Sequence, residues 1–286
     1  MKTLSGAFVR KNPRRIGQRL SCLTSMAHRN IPNYFSGSSF RFYSTESNSE
    51  NETSNQQEEV KKAWEVRETD YGAIELIMNS NSVNCLNWQF FTDFHEAINK
   101  IKKELPYMPL VLKSASPKVF SAGLDLREVT AIDNKDDAHD FVDALNRCFT
   151  RLYLLKRPTI AVLEDKHAIA GGLILGLCAD FQVVCTESKA IYALKEIALG
   201  LPFPSQTFYI IENEISDRSL FKELTLTGHA VTAKEGVRRG LFSHGVETPD
   251  QVDGKVREIL SRFDQKKSQE AYVHLKRMMK STPFRA

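Results

Sequence analysis

Segments with strand-like and helix-like patterns alternate along this chain from about residue 64 onward, and this order constrains the fold more than any other feature. Short apolar segments such as "AIELIMN" (73–79) and "PLVLKSA" (109–115) are typical of buried strands. Between the strands, apolar residues recur every three or four positions, as expected for helices that bury one face. The alternation predicts an α/β fold with largely parallel strands and right-handed crossovers.

Two helices and two further strands complete the central pattern. The helical stripes consist of Phe91, Phe94, Ile98 and Ile101 and, further along, Phe141, Leu145, Cys148 and Leu152. The additional strand candidates are "PTIAVLE" (158–164) and "DFQVVCT" (180–186). After residue 232 the pattern is mainly helical, with one helix that ends at Gly240 and two more over 255–263 and 271–279.

The first 45 residues contain no Asp or Glu but eight Lys and Arg. This Arg-rich and Ser-rich composition is typical of a mitochondrial targeting segment, so we expect residues 1–43 to direct the chain to the matrix and to be removed before Ser44. A basic tail that binds RNA or lipid head groups is the alternative. Loss of the eight cations changes the net charge from +4 to −4, which leaves a mildly acidic chain.

Residues 44–62 are polar and acidic without periodicity. Such a segment buries too little apolar surface to fold, which predicts a spacer, and residues 63–286 then form one domain. No apolar run approaches the roughly 20 residues of a membrane span, so no spanning helix is expected. The cysteines of the domain show no CxxC spacing, which favours small buried side chains over metal ligands, and we expect no metal.

The segment "HAIAGGLILGL" (167–177) places Gly171 and Gly172 at the start of an apolar helix. The N-terminus of a helix presents unpaired N–H groups and a partial positive charge. Glycine at that point lets a ligand oxygen approach the backbone, which suits an oxyanion or a polarised carbonyl. The alternative is that the two glycines only permit close packing of the helix.

A second turn has the same character. The segment "VFSAGLDLREV" (119–129) follows a predicted strand and leads through Ala122 and Gly123 to Asp125, a predicted N-cap. The exposed backbone of this turn and that of the glycine pair could converge on one carbonyl oxygen.

A third stretch supplies a candidate base. The segment "YALKEIALGLPFP" (192–204) places Glu196 among apolar residues. Burial of this kind raises the pKa of a carboxyl group and suits proton transfer near neutral pH. A surface Glu196 that pairs with Lys195 is the alternative.

Four motifs, in this order, resemble the enoyl-CoA hydratase/isomerase (crotonase) superfamily, and within it the mitochondrial 3,2-trans-enoyl-CoA isomerases. They are "VNCLNWQFF", "VFSAGLDL", "AGGLILGLCADF" and "KEIALGL", and the resemblance covers roughly residues 70–282. It implies a spiral of ββα units with C-terminal helices. It also implies that the backbone N–H groups of Leu124 and Gly171 hold a thioester carbonyl and that Glu196 is the catalytic base.

The same resemblance implies a set of coenzyme A contacts. The implied substrate-binding residues are Lys118, Ala122, Gly123, Asp125, Arg127 and Gly172, and an acyl pocket would draw on Leu126, Phe203 and Phe208. Lys118 and Arg127 could equally be solvated surface cations, and core packing is the alternative for the three apolar residues. The coenzyme A thioester is the expected substrate, and no separate cofactor is expected.

The residue type at position 174 distinguishes between two reactions of the family. The hydratases of the family activate water with two glutamates, one at the position of Glu196 and one at the position of Ile174. With an apolar residue there, the resemblance implies an isomerase that converts a 3-enoyl-CoA into the 2-trans-enoyl-CoA of β-oxidation. A catalytically silent acyl-CoA-binding relative and a hydratase are the alternatives.

The resemblance also implies a homotrimer. Family members usually continue for several helices beyond the last residues of this sequence, so we expect a shortened C-terminal helical part. An RNA-binding relative is a further alternative, but the charge of −4 without the leader argues against a nucleic-acid partner.

Overall fold

A six-stranded sheet forms the base of the molecule in a computed structural model that describes residues 62–263 and 269–280. Its strand order is β1-β2-β4-β7-β9-β12, and every pair is parallel except the antiparallel β1–β2 pair. The strands are β1 (Trp64–Glu68), β2 (Ile74–Met78), β4 (Leu110–Ser114), β7 (Thr159–Glu164), β9 (Phe181–Cys185) and β12 (His244–Val246). The four strands predicted from apolar runs are all confirmed.

Shorter strands form two additional sheets. A four-stranded sheet has the order β11-β10-β8-β5, in which β5, β8 and β10 are parallel, and β3 pairs with β6 in a parallel two-stranded sheet. These strands are β3 (Cys85–Leu86), β5 (Val119–Ser121), β6 (Gly123–Leu124), β8 (His167–Ile169), β10 (Ile191–Ala193) and β11 (Ala230–Thr232).

The chain passes repeatedly from the large sheet to the four-stranded sheet and then into a helix. Strand β4 leads to β5, β7 leads to β8, and β9 leads to β10. The helices are α1 (Trp88–Glu104), α2 (Leu126–Ala131), α3 (Lys135–Tyr153), α4 (Gly171–Leu177), α5 (Ser205–Glu214), α6 (Arg218–Thr227), α7 (Ala233–Arg238), α8 (Val252–Ser261) and α9 (Gln269–Lys280). The predicted spiral of ββα units with C-terminal helices is therefore confirmed.

The core lies between the sheets and the helices that cover them. All four residues of the apolar stripe on α1 are buried, as are the four predicted on α3. Helix α4 is buried along its whole length and packs against strands of all three sheets. A buried α4 is possible because its sequence, GGLILGL, has no polar side chain that would need a partner.

Several further expectations can be placed on this fold. Cys148, Cys178 and Cys185 are buried free thiols, and Cys85 is a half-buried one. None of the helices in the described part of the chain is both long and apolar enough to cross a membrane. The expected targeting segment and nearly all of the expected spacer lie outside the described residues.

Candidate functional site

The three stretches singled out in the sequence meet at one edge of the four-stranded sheet. Strands β5, β8 and β10 run parallel and side by side, so the turns that follow them lie at a common edge. In open parallel sheets this carboxyl edge is where ligands usually bind. The Ala170 N–H donates to the Ala193 carbonyl oxygen at 2.7 Å, which joins the glycine turn to the strand that leads to Glu196.

The glycine turn also touches the turn that contains Gly123. A Cβ atom on Gly123 would stand 2.9 Å from Ala170 Cβ and 3.1 Å from the Gly171 nitrogen. Gly123 has φ +86°, a left-handed conformation that glycine adopts without strain. Both its conformation and its neighbours therefore require glycine at this point.

The first candidate N–H donor, that of Leu124, is directed away from its neighbouring strand. Strand β6 pairs with β3, and the next N–H, that of Asp125, donates to the Leu86 carbonyl oxygen at 3.0 Å. Successive N–H groups of an extended strand point to opposite sides. The Leu124 N–H therefore points away from β3.

The second candidate donor, that of Gly171, is the first N–H of α4. Ala170, the residue before it, provides no side-chain cap, and the first N–H groups of a helix have no acceptor within the helix. Gly172 differs, since a Cβ atom there would stand 2.1 Å from the Ser121 carbonyl oxygen. Close packing, the alternative considered for the glycine pair, thus accounts for Gly172. At Gly171 the nearest atom is the flexible end of Leu86, at 2.9 Å.

Glu196 begins a 3-10 helix that follows β10. Its side chain is buried, and its Oε2 atom has no hydrogen-bond partner. Burial raises the pKa of Glu196 to about 7. The neighbouring Lys195 turns away and donates to the Gly228 carbonyl oxygen at 2.6 Å. The alternative of a surface Glu196 paired with Lys195 is therefore wrong.

Ile174 lies on α4, one turn after the glycine pair, and is 2% exposed. Because α4 carries no charged side chain, this helix contributes only backbone groups to the chemistry of the site. Two backbone donors and one carboxylate can polarise a carbonyl group and move a proton on the adjacent carbon chain.

The proposed coenzyme A contacts are more dispersed. Arg127 lies in the first turn of α2, where its guanidinium pairs with the Asp125 carboxylate at 3.0 Å. Asp125 is the N-cap of α2, and its hydrogen bond with Arg127 lowers the pKa of its carboxyl group. The Ala122 N–H donates to the Val83 carbonyl oxygen at 2.9 Å.

Lys118 lies apart from the other predicted contacts. It precedes β5, and its carbonyl oxygen accepts from the N–H of His167, which starts β8. This is the amino end of the four-stranded sheet, opposite to the three turns. Among the described residues, no carboxylate lies within ion-pair distance of Lys118, as expected for either a phosphate contact or a solvated cation.

Apolar side chains flank the site and remain exposed. Leu126 is 45% exposed, and Ile197 and Leu199, which directly follow Glu196, are 48% and 50% exposed. Phe208 is also exposed, whereas Phe203 packs against the core. The sequence did not predict that Ile197 and Leu199 lie exposed beside Glu196. Leu199 follows Glu196 by three residues, which is one turn of a 3-10 helix, so this spacing places the two side chains one above the other. It is the one sequence feature that relates an exposed apolar residue here to Glu196.

One cluster elsewhere has the composition of a metal site. Ligand atoms of Glu223, His229 and Glu235 lie within 4.8 Å of one another. The guanidinium of Arg239 pairs with Glu223 at 2.7 Å and with Glu235 at 3.3 Å. A cation already compensates these carboxylates, so the cluster is an ion-pair network.

Comparison with known proteins identifies the family of the chain. The family "Enoyl-CoA hydratase/isomerase" matches residues 68–284. The chain therefore belongs to the enoyl-CoA hydratase/isomerase family.

Its relatives include both kinds of enzyme. It is 28% identical to the mitochondrial enoyl-CoA delta isomerase 1 of Rattus norvegicus, over 69% of this chain and 67% of that protein. It is also 28% identical to a probable mitochondrial enoyl-CoA hydratase 2 of Arabidopsis thaliana, over 69% of this chain and 64% of that protein. The match thus spans about two thirds of the length of these curated relatives.

Solved structures share the fold. The molecule superposes on an enoyl-CoA isomerase from Mycobacterium tuberculosis with a TM-score of 0.67 at 21% identity, covering 77% of this chain and 92% of that one. An enoyl-CoA hydratase from Mycobacterium marinum gives a TM-score of 0.66 at 19% identity with the same coverage. The crotonase fold expected from the sequence is thus shown.

Proposed function

We propose that this protein is an isomerase that shifts the double bond of a 3-enoyl-CoA, cis or trans, to the 2-trans position. The observation that carries the proposal is the buried Oε2 atom of Glu196, which has no partner and belongs to a carboxyl group with a pKa of about 7. A group that is half ionised near neutral pH can both accept and return a proton.

In the proposed reaction, the thioester oxygen of the substrate accepts hydrogen bonds from the N–H groups of Leu124 and Gly171. Glu196 removes a proton from carbon 2, which gives a dienolate whose negative charge lies largely on that oxygen. The protonated Glu196 then delivers the proton to carbon 4, and the double bond is left between carbons 2 and 3. Each backbone donor of this kind typically contributes about 2.7–4 kcal/mol to stabilisation of the transition state.

The choice of isomerase over hydratase is supported by Ile174. Addition of water by the family's two-glutamate arrangement needs a second carboxylate at this position, and the side chain here is apolar and buried. The exposed Ile197 and Leu199 beside Glu196 suit an acyl chain that covers the carboxylate and excludes water.

The setting of the reaction is also proposed. The acid-free leader and the mitochondrial names of relatives support a location in the mitochondrial matrix. A relative named as the alpha subunit of a fatty acid oxidation complex supports a role in the oxidation of unsaturated fatty acids. We propose that the substrate is the only small-molecule partner and that no cofactor is used. The family resemblance supports assembly as a homotrimer.

The test is conversion of a 3-enoyl-CoA by the full chain and by Glu196→Gln, which keeps the shape of the side chain but removes the base. We expect the wild type to form the 2-trans product and the variant to lose at least about a hundredfold in kcat, the lower end of general acid–base contributions. Glu247→Gln is the matched control, because Glu247 is an exposed glutamate with no ion pair among the described residues, and it should retain full activity.

Two other results would contradict the proposal. Hydration of a 2-enoyl-CoA at a rate above that of isomerisation would assign the protein to the hydratases. Binding of acyl-CoA without turnover in wild type and variant alike would identify a silent relative.

A further inference from the structure

A groove on the surface between α1 and α3 has an apolar floor and a basic rim. Its volume is about 810 Å³. Phe91, Ala144 and Leu154 contribute apolar surface, while Lys102, Arg147 and Arg151 supply positive charge. None of these residues takes part in the proposed reaction.

The positive charge of the groove is not balanced by its surroundings. Within the described part of the chain, no carboxylate comes within 4.0 Å of the Lys102, Arg147 or Arg151 nitrogens, although Asp143 lies one helical turn before Arg147. Arg151 instead contacts neutral groups, His95 Nδ1 at 2.9 Å and Asn99 Oδ1 at 2.6 Å.

Two further observations indicate that the groove lacks a partner. Partial burial lowers the pKa of both Lys102 and His95, and nearby cations, Arg151 among them, lower it further. The hydroxyl of Thr150, which also lines the groove, is buried without a hydrogen-bond partner. A polar acidic occupant would compensate the charge and could satisfy this hydroxyl.

The described chain begins at the edge of this groove. The Ala63 N–H donates to Asp93 Oδ2 on α1 at 2.7 Å, and Lys62 pairs with Glu96 on the same helix at 3.5 Å. Thr92 and His95, the neighbours of these two acids in sequence, line the groove. The chain that precedes Lys62 therefore enters the molecule beside the groove.

That preceding chain has the complementary charge. Residues 46–60 contain five glutamates and neither Lys nor Arg. A stretch of 15 residues can extend about 50 Å, whereas the groove along α1 from Trp88 to Lys102 is about 21 Å long at 1.5 Å per residue. The segment is thus long enough to follow the groove.

We propose that residues 46–59 bind in the groove of the same molecule, with their glutamates paired to Lys102, Arg147 and Arg151. Each exposed ion pair is weak on its own. The covalent attachment at Lys62 raises the effective concentration of the segment, so several weak pairs suffice to hold it.

The test measures how fast a glutamyl endoprotease cuts after Glu50 and Glu52 in the full chain, followed by mass spectrometry. Lys102→Gln/Arg147→Gln removes two rim charges on exposed side chains that make no hydrogen bond with the described residues. We expect this variant to be cut at least about threefold faster than wild type at low salt, since only weak pairs are lost. The difference should vanish at about 0.5 M NaCl, where charges are screened within a few ångströms.

The control variant is Lys222→Gln/Arg238→Gln, which removes the same charge from exposed positions on α6 and α7, and it should be cut at the wild-type rate. Equal rates for all three proteins at low salt would overturn the proposal. Protection that grows with protein concentration would also overturn it, because the groove would then hold the segment of a second copy. Matching thermal unfolding curves confirm that the variants are folded.

Discussion

Two buried carboxyl groups of the site, those of Asp125 and Glu196, have opposite electrostatic environments. Asp125 caps α2 and accepts hydrogen bonds from Arg127, which lower the pKa of its carboxyl group. Glu196 has no cation beside it, and burial raises its pKa to about 7. Asp125 is therefore fixed as an anion that holds the turn, while Glu196 can gain and lose a proton near neutral pH.

The pKa of Glu196 sets the expected pH dependence of the reaction. Removal of a proton from the substrate requires the ionised carboxylate, so kcat/KM should rise up to about pH 7 and level off above it. Below that pH the rate should fall about tenfold for each pH unit. A pH profile of the isomerisation checks this, and a rate that is constant from pH 5 to 8 would exclude Glu196 as the base.

The same group should reduce the stability of the folded protein at high pH. The folded protein binds the Glu196 proton more tightly than the unfolded chain, with a pKa of about 7 against 4.5. This contribution to stability is complete below pH 4.5 and is lost as the pH rises to about 7. At pH 8, Glu196→Gln should therefore unfold at a higher urea concentration than wild type. We expect its free energy of unfolding to be greater by about 1–3 kcal/mol, after allowance for the cost of burying the amide.

A comparison of the two proteins at pH 5 provides the check on this prediction. Most of the Glu196 side chains are protonated there, so the difference in stability should be small. Glu247→Gln, on the surface, should match wild type at both pH values. A Glu196→Gln variant that is less stable than wild type at pH 8 would show that the carboxylate has a partner in solution.

Among the elements, helix α4 contains two glycines that differ in how closely they approach their neighbours. Gly172 faces the backbone of Ser121, and a Cβ atom added to it would stand only 2.1 Å from the carbonyl oxygen. Gly176, on the same helix, would place its Cβ 3.4 Å from Leu163 Cδ2, which is near ordinary contact. The first glycine sets how closely α4 approaches β5, and the second does not.

Gly172→Ala should accordingly displace α4 and move the Gly171 N–H. We expect a loss of stability of about 1–3 kcal/mol, typical of overpacking, together with a lower kcat in the isomerase assay. Gly176→Ala is the matched substitution on the same helix and should cost much less, since alanine also favours the helix. Equal losses in urea unfolding for the two variants would contradict the packing explanation for Gly172.

Element prediction from sequence depended on how many consecutive or regularly spaced apolar residues an element contains. The longer strands β2, β4, β7 and β9 each have enough consecutive apolar residues to be predicted, as do α1 and α3 from their stripes. The short strands of the four-stranded sheet have only three residues each and were not predicted, because three residues do not show a period. Helices α5 and α6 were also missed.

In the molecule as a whole, buried charged groups attach α9 to the large sheet. Lys276 and Lys280 reach the Asp180 carboxylate at 2.7 and 2.9 Å, and the Tyr272 hydroxyl donates to it at 2.7 Å. Thr159, the first residue of β7, donates to the same carboxylate. One carboxyl group thus joins α9 to β7 and to the chain that leads into β9.

Asp180→Ala should weaken this arrangement strongly, because it removes the nearest carboxylate of two buried lysines. We expect a loss of about 3–5 kcal/mol in the free energy of unfolding, measured with urea. Asp143→Ala is the control, since the Asp143 side chain is 45% exposed and its ion pair, with His139 at 3.8 Å, lies on the surface. It should change stability by less than about 0.5 kcal/mol. A small effect at Asp180 would show that α9 is held by other contacts.

The sequence by itself determined the α/β class, the order of the long elements, the N-cap at Asp125 and the presence of Glu196 among apolar residues. These properties depend on neighbours in sequence, which local periodicity reveals. Only the tertiary structure decided that β5, β8 and β10 lie side by side, that the Oε2 atom of Glu196 is buried without a partner, and that Gly172 is a packing residue. Each of these depends on contacts between residues far apart in the chain, and such contacts are set by sheet order and close packing.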